Sequence, residues 1–259
     1  MFSNKMETMA IPERVYALCK IIENKPMSAS DVKERMEPSY LGQKSVYFTS
    51  YRNTAEELRL ITFSDNMLTL SVDPSVIKSM DTMRSFINTE LNRFSNAEFY
   101  QVTSAYFDMG ANILHGEQNV ANLSAVMSQN TGISIDADAM RAWRFWASYL
   151  GFGYAQGMFV LPNADRFLWD LIKNAKFEKN EKCSITEFLT RISPLIDIIL
   201  DINNPNKMFN FGTSNGLRTL QDAGYIRMEQ VLDEKDTWNL YHMNAASTDD
   251  RVTHITILR

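Results

Sequence analysis

The stretch Ala55-Glu56-Glu57-Leu58-Arg59-Leu60-Ile61-Thr62-Phe63-Ser64-Asp65-Asn66-Met67-Leu68-Thr69-Leu70 decides how this chain is read. Its first residues close an apolar helical face. Leu60 to Phe63 and Met67 to Leu70 then read as two strands, joined in a hairpin by the turn Ser64-Asp65-Asn66. Upstream, Phe48, Tyr51, Ala55 and Leu58 recur at helical spacing, which predicts a helix from about Ser45 to Leu58. Its opposite face carries Lys44, Thr49, Arg52 and Asn53. Before it, Ile11-Pro12 opens a first helix through Val15, Leu18, Cys19 and Ile22, because Pro suits the first helical turn. Ser28-Ala29-Ser30-Asp31 resembles a capping box and starts a short second helix through Val32 and Met36, closed by Pro38. Three helices followed by a hairpin is the order of a winged helix.

The same grammar recurs downstream. Helices are predicted at Glu98 to Met109, Val120 to Met127 and Ala137 to Leu150, and Gly151 to Tyr154 and Met158 to Leu161 form a hairpin around Ala155-Gln156-Gly157. A helix from Asp165 to Ile172 and a charged, exposed connection from Lys176 to Lys182 lead into a third round. There Ser184-Ile185-Thr186-Glu187 caps one helix, Pro194 begins the next through Leu200, and another runs from about Ser214 toward Gly224, which suits a left-handed helix end. Strands at Ile226 to Leu232 and Thr237 to Met243 follow, with Asp233 to Asp236 as the tip between them and Val252 to Leu258 as a possible last strand. Aligned, the transitions are Glu57-Leu58-Arg59-Leu60-Ile61, Tyr149-Leu150-Gly151-Phe152-Gly153 and Asp222-Ala223-Gly224-Tyr225-Ile226. In each, a bulky apolar residue enters a strand directly after a helix. The expected fold is mainly α with small β-hairpins (α+β), as tandem winged-helix units at 1–95, 96–180 and 181–259.

Composition narrows the function. With 45% hydrophobic and 22% charged residues, the 259-residue chain can bury a core. It has no apolar run of the roughly 20 residues needed to cross a bilayer and no signal-peptide pattern at Met1 to Glu7, so a cytoplasmic protein is expected. Cys19 and Cys183 read as separate, reduced structural thiols. The net charge of −5 and pI near 5.3 weigh against broad nucleic-acid affinity, which depends on Lys and Arg displacing counterions. The first third is close to neutral and the remainder increasingly acidic, so the front of the chain is the favoured place for any DNA contact.

Catalytic motifs are not found. His115, His242 and His254 lack metal-ligand spacing, and no phosphate-binding loop exists. Gly151-Phe152-Gly153 holds part of a dinucleotide fingerprint but follows a helix, where that motif must follow a strand. Asp136 and Asp138 are spaced like metal carboxylates, although such residues at a helix start usually cap it. No enzyme, cofactor or metal is therefore expected. Base readout needs less: Lys44, Ser45, Thr49, Arg52 and Asn53 on the third helix can enter a major groove, with Lys33, Arg35 and Arg59 as phosphate contacts. The same pattern fits an ordinary solvated helix face, and the sequence leaves both open. Arg141 and Arg144, beside Trp143, Phe145 and Trp146, offer a second DNA or partner contact, while the tryptophans themselves read as core. Arg218 and Arg227 stand among acidic residues, which suits a protein partner better than DNA. Fifteen methionines serve either as adaptable contacts or as core filler.

Through Ala55 to Leu70, Trp146 to Asn163 and Leu217 to Leu240, the chain resembles the multi-winged-helix accessory proteins of bacterial antiphage defence islands, including the DpdG-type components of deazaguanine DNA-modification clusters. That resemblance implies an accessory or DNA-engaging role beside motor and nuclease subunits. It leaves two expectations: a protein that binds double-stranded DNA through its first unit, with later units holding a partner subunit or second copy, or a protein-interaction adaptor that never touches DNA.

Overall fold

The computed structural model describes residues 1–3, 5–41, 47–115, 120–242 and 250–259, in which short antiparallel sheets are attached to a mainly helical α+β frame. The first segment runs α1 (Pro12–Ile21), β1 (Met27–Ser28), α2 (Ala29–Met36), α3 (Tyr47–Glu57), β2 (Ile61–Ser64) and β3 (Met67–Leu70). Val15, Leu18 and Cys19 turn inward on α1, and the Ser28 side chain caps α2 by accepting the Asp31 N–H. The hairpin turn is Asp65-Asn66, both at positive φ (50° and 62°), the geometry that matches the twist of paired strands. β1, which the periodicity does not announce, pairs on the far side of β3 with Met27 opposite Leu68, so the sheet order is β1-β3-β2. Ser45, the expected start of the third helix, and Lys44 lie outside the described residues.

A further helix, α4 (Met80–Glu90), follows this segment without having been expected. Its signal is Ser79 and Thr82, which form a reciprocal capping box with both bonds present. The second segment holds α5 (Glu98–Asp108), α6 (Val120–Thr131), α7 (Ala137–Leu150), β4 (Gly153–Gln156) and β5 (Phe159–Pro162). Its turn is Gly157-Met158, not Ala155-Gln156-Gly157. Ala155 is still in the ladder opposite Val160, and Gly157 supplies the positive φ of 57° that the reversal requires.

The last segment comprises α8 (Asp165–Asn174), β6 (Lys182–Ser184), α9 (Ile185–Ile192), α10 (Phe211–Asp222), β7 (Ile226–Glu229), β8 (Trp238–Asn239), β9 (Arg251–Val252) and β10 (His254–Ile257). The connection from Lys176 to Lys182 is mostly exposed, and it is tied at its end, where the Asn180 N–H bonds the Ile257 carbonyl and Lys182 enters the sheet. Three expectations are corrected in this segment, at Pro194, at the start of α10 and in the pairing of β7. Pro194 leads only into the single 3-10 turn Leu195–Ile198. α10 starts at Phe211 rather than Ser214, since Asn210 caps it by accepting the Thr213 N–H. β7 does not pair with the Trp238 strand: it pairs with β10, which is central in the order β6-β10-β7, while β8 pairs with β9 in a separate ribbon. The final strand buries Ile255 and Ile257 on its way through the middle of the sheet, and this burial outweighs the shorter chain closure of a local hairpin.

The three aligned helix ends share one geometry. Arg59, Gly151 and Gly224 all have positive φ (56°, 88° and 71°). The N–H of the next residue reaches back to the helix in each case, Leu60 to Ala55, Phe152 to Ala147 and Tyr225 to Leu220, at 3.0, 3.0 and 2.9 Å. The carbonyls of Leu60, Phe152 and Tyr225 then accept from Ser71, Asn163 and Leu258, which closes each outgoing strand against its partner.

One continuous apolar cluster extends from Met1 to Ile257. Trp143 and Trp146 lie inside it, their indole N–H groups donating to Thr103 Oγ1 (3.0 Å) and the Ala10 carbonyl (2.6 Å). Asp170 of α8 is buried where α4 crosses it and accepts from Arg84 Nε (2.8 Å), Asn88 Nδ2 (3.0 Å) and Lys173 Nζ (2.9 Å). Burial works against the Arg84 charge, but the carboxylates of Asp170 and Asp81 hold its pKa above the ordinary value. Among the described residues no helix is long and apolar enough to cross a membrane.

Candidate nucleic-acid interface

α3 buries Phe48, Tyr51, Thr54 and Ala55 and turns Thr49, Asn53 and Glu56 to solvent. Arg52 sits at the edge of that outer face. Its guanidinium lies 4.3 Å above the Phe63 ring of β2 and donates to Asn53 Oδ1 from Nη2 (2.7 Å) and Nε (3.3 Å). The hairpin thus supports the helix's longest cation. Of the expected set, Thr49, Arg52 and Asn53 come together on one surface, while Lys44 and Ser45 fall outside the described residues.

Two residues of this surface were not singled out from sequence. Glu56 shares the face at four residues from Arg52 and three from Asn53, a spacing that would have found it. Phe63 positions Arg52, and the signal for it was only its place in the first strand of the hairpin. Of the expected phosphate contacts, Lys33 and Arg35 are exposed on α2, and Arg59 is exposed with Glu90 4.0 Å away. Residues 1–95 contain twelve basic and twelve acidic side chains, so the whole net charge of −5 resides in the remainder.

The second expected contact is more occupied. Arg141 is paired with Asp138, and Arg144 donates from Nη1 to the Gly157 carbonyl, which ties α7 to the β4-β5 turn. Phe145 stays 40% exposed beside them. α10, the helix corresponding to α3 in chain order, presents no such face: Phe211, Gly212, Thr213, Ser214, Gly216, Leu217 and Leu220 are all buried. Arg218 donates from Nη2 to Asp250 and to the Tyr241 carbonyl, both at 2.9 Å, and Arg227 lies 3.3 Å from Glu229.

Elsewhere the polar candidates have structural partners. Asp136 caps α7 through the Ala139 N–H and pairs with Lys5 at 2.6 Å; these bonds hold its carboxyl below the usual range. His242 bonds Asp250 through Nδ1 at 2.6 Å, and His254 bonds the neighbouring Thr253 hydroxyl. Cys19 and Cys183 are free and buried, and burial pushes their thiols up to about 12 and about 11. Among the described residues no group of three or more His, Cys, Asp or Glu side chains is arranged to hold a metal ion. Compared with known proteins, the chain matches no family model, no curated protein and no solved structure.

Proposed function

We propose that this chain is built from tandem winged-helix units at 1–95, 96–180 and 181–259, and that it acts by binding double-stranded DNA through α3. Helix, strand, helix, helix, strand, strand with the first strand outside the last supports the winged-helix reading in the first segment, and in the last segment when α8, from 96–180, is counted as its first helix and the β8-β9 ribbon as an insertion. Arg52 carries the DNA reading. It is a cation on the outer face of the third helix, propped by the wing, and its partners among the described residues are Asn53 and the Phe63 ring rather than a carboxylate. Lys33 and Arg35 on α2 stand ready for phosphates, and Lys44 lies three residues before the first residue of α3 in sequence. An accessory role beside DNA-processing subunits follows from the resemblance and has the same basis.

Fluorescence anisotropy of the full chain on a 20-base-pair duplex, titrated with salt, tests this. Arg52→Ala weakens binding, and Lys44→Ala flattens the logarithmic salt slope by about one for a lost phosphate contact. Unchanged affinity and slope in both variants would remove α3 as the DNA contact.

A protein-interaction adaptor is the second reading, and the last segment favours it. Leu232 is 82% exposed and Val231 42% exposed in the loop after β7, on the acidic part of the chain. Retention of a partner subunit together with no DNA shift at low salt would select this reading instead.

A further inference from the structure

The donor and acceptor pattern on α3 goes one step further than binding to DNA. Asn53 Oδ1 is taken up by two guanidinium N–H groups of Arg52, so the amide turns its Nδ2 outward. The pair therefore offers only donors: the amide N–H₂ and the remaining guanidinium N–H groups. Phe63 under the guanidinium restricts its plane and keeps the arrangement together. An asparagine that reads adenine must accept from N6 while donating to N7, and that needs the oxygen Arg52 already occupies. Guanine presents two acceptors in the major groove, O6 and N7, and matches a donor-only pair.

Glu56 supplies the complementary half. A carboxylate on a DNA-facing helix is repelled by phosphates, so non-specific backbone binding gives no reason for it there. Against base edges an acceptor-only group has a partner in the cytosine N4 amino group. Glu56 is exposed four residues beyond Arg52, a rise of about 6 Å, which brings it to a neighbouring base pair rather than the same one. Thr49, one turn the other way, carries a hydroxyl that accepts or donates and does not discriminate.

We propose that α3 reads a short G·C step, with the Arg52-Asn53 pair on guanine and Glu56 on the cytosine of an adjacent pair. This rests on the α3 reading of the preceding subsection. The test is selection of 20-base-pair duplexes from a randomised pool by the full chain at low salt, followed by anisotropy on the enriched duplex and its single-site replacements. G·C steps are enriched. Adenine in place of the contacted guanine weakens binding about tenfold or more, while inosine, which keeps O6 and N7, leaves it unchanged. Glu56→Gln relaxes the preference at the cytosine position alone, and Asn53→Ala relaxes it at the guanine. Retention of DNA with no base preference, or enrichment of A·T runs, overturns the G·C assignment and leaves the DNA reading standing. Failure to retain any duplex removes both.

Discussion

α3 and α10 end through the same closing bonds and feed sheets of the same order, yet one shows solvent a row of polar side chains and the other buries every residue of its first turn. The inward positions make the difference. By the alignment of the helix ends, α10 has Gly212 and Gly216 where α3 has Tyr47 and Tyr51, while the outer Thr49, Asn53 and Glu56 correspond to Ser214, Arg218 and Gln221. A Cβ on Gly216 would stand 2.8 Å from the backbone of Ala164 and Asp165, and one on Gly212 would stand 2.3 Å from the Phe107 ring. Glycine lets the start of α8 and the ring from α5 reach the helix axis, and the Ala164 N–H uses that proximity to bond the Gly212 carbonyl at 3.0 Å. The same local path thus leaves a polar face exposed in one place and lets a neighbouring helix start reach the axis in the other.

The largest effect that bears on this comparison comes from filling the close approach. Gly216→Val pushes side-chain carbons into backbone that cannot yield, and the expected loss is about 3 kcal/mol of stability, seen as a clear fall in urea midpoint. Asn53→Ala on the exposed face of α3 shifts stability by about 0.5 kcal/mol or less. Comparable midpoints for the two variants would mean that α10 is not held as described.

The middle segment sharpens the comparison with a smaller effect. Leu68 and Ile255 occupy equivalent places in their strands and have a third strand on their outer side, at Met27 and Cys183. Val160 takes the corresponding place in β5, and the Tyr106 hydroxyl stands beside it where that strand would be. The hydroxyl donates to the Val160 carbonyl at 2.7 Å and accepts its N–H at 3.3 Å. Burial raises the phenol pKa, so the proton that makes the first bond stays in place. Tyr106→Phe leaves both groups of Val160 buried without a partner and is expected to cost about 1–3 kcal/mol. Hydrogen exchange at the Val160 amide should accelerate with it, and an unchanged exchange rate would show that the hydroxyl does not substitute for a strand.

Legibility from sequence follows the same division. Local signals were readable: Pro12 and Ser28 at helix starts, the Asp65-Asn66 turn, and the three aligned helix ends that share positive φ at Arg59, Gly151 and Gly224. Long-range pairings were not. β1 and β6 are too short to show a period, and nothing near Ile226 in sequence says that its partner is Ile257 across an inserted ribbon. At the candidate interface, helical spacing was enough to place Thr49, Arg52 and Asn53 together. It could not reveal that Arg52 lies on Phe63, because that contact depends on how the hairpin folds back under the helix.

The smallest effect concerns how the end of α3 is anchored. Glu57 points inward beneath the chain start, where its carboxylate accepts the Phe2 N–H at 2.9 Å and the Ser3 N–H, with the Met1 ammonium 3.1 Å away. Burial alone would raise its pKa, but the ammonium and the amide donors outweigh this and hold it below the ordinary value. A carboxylate whose pKa is depressed by folding stabilises the fold above its unfolded pKa of about 4.3 and loses that contribution as pH falls through the folded value. Glu57→Gln keeps the shape and removes the charge, so it should cost about 1 kcal/mol at pH 7, in line with a charge-assisted hydrogen bond. The gap between variant and parent should close as the medium is acidified below about pH 4, since protonation removes the same charge from the parent. A gap that is constant from pH 7 to pH 3 in urea unfolding would show that shape, and not the carboxylate charge, secures this end of the helix.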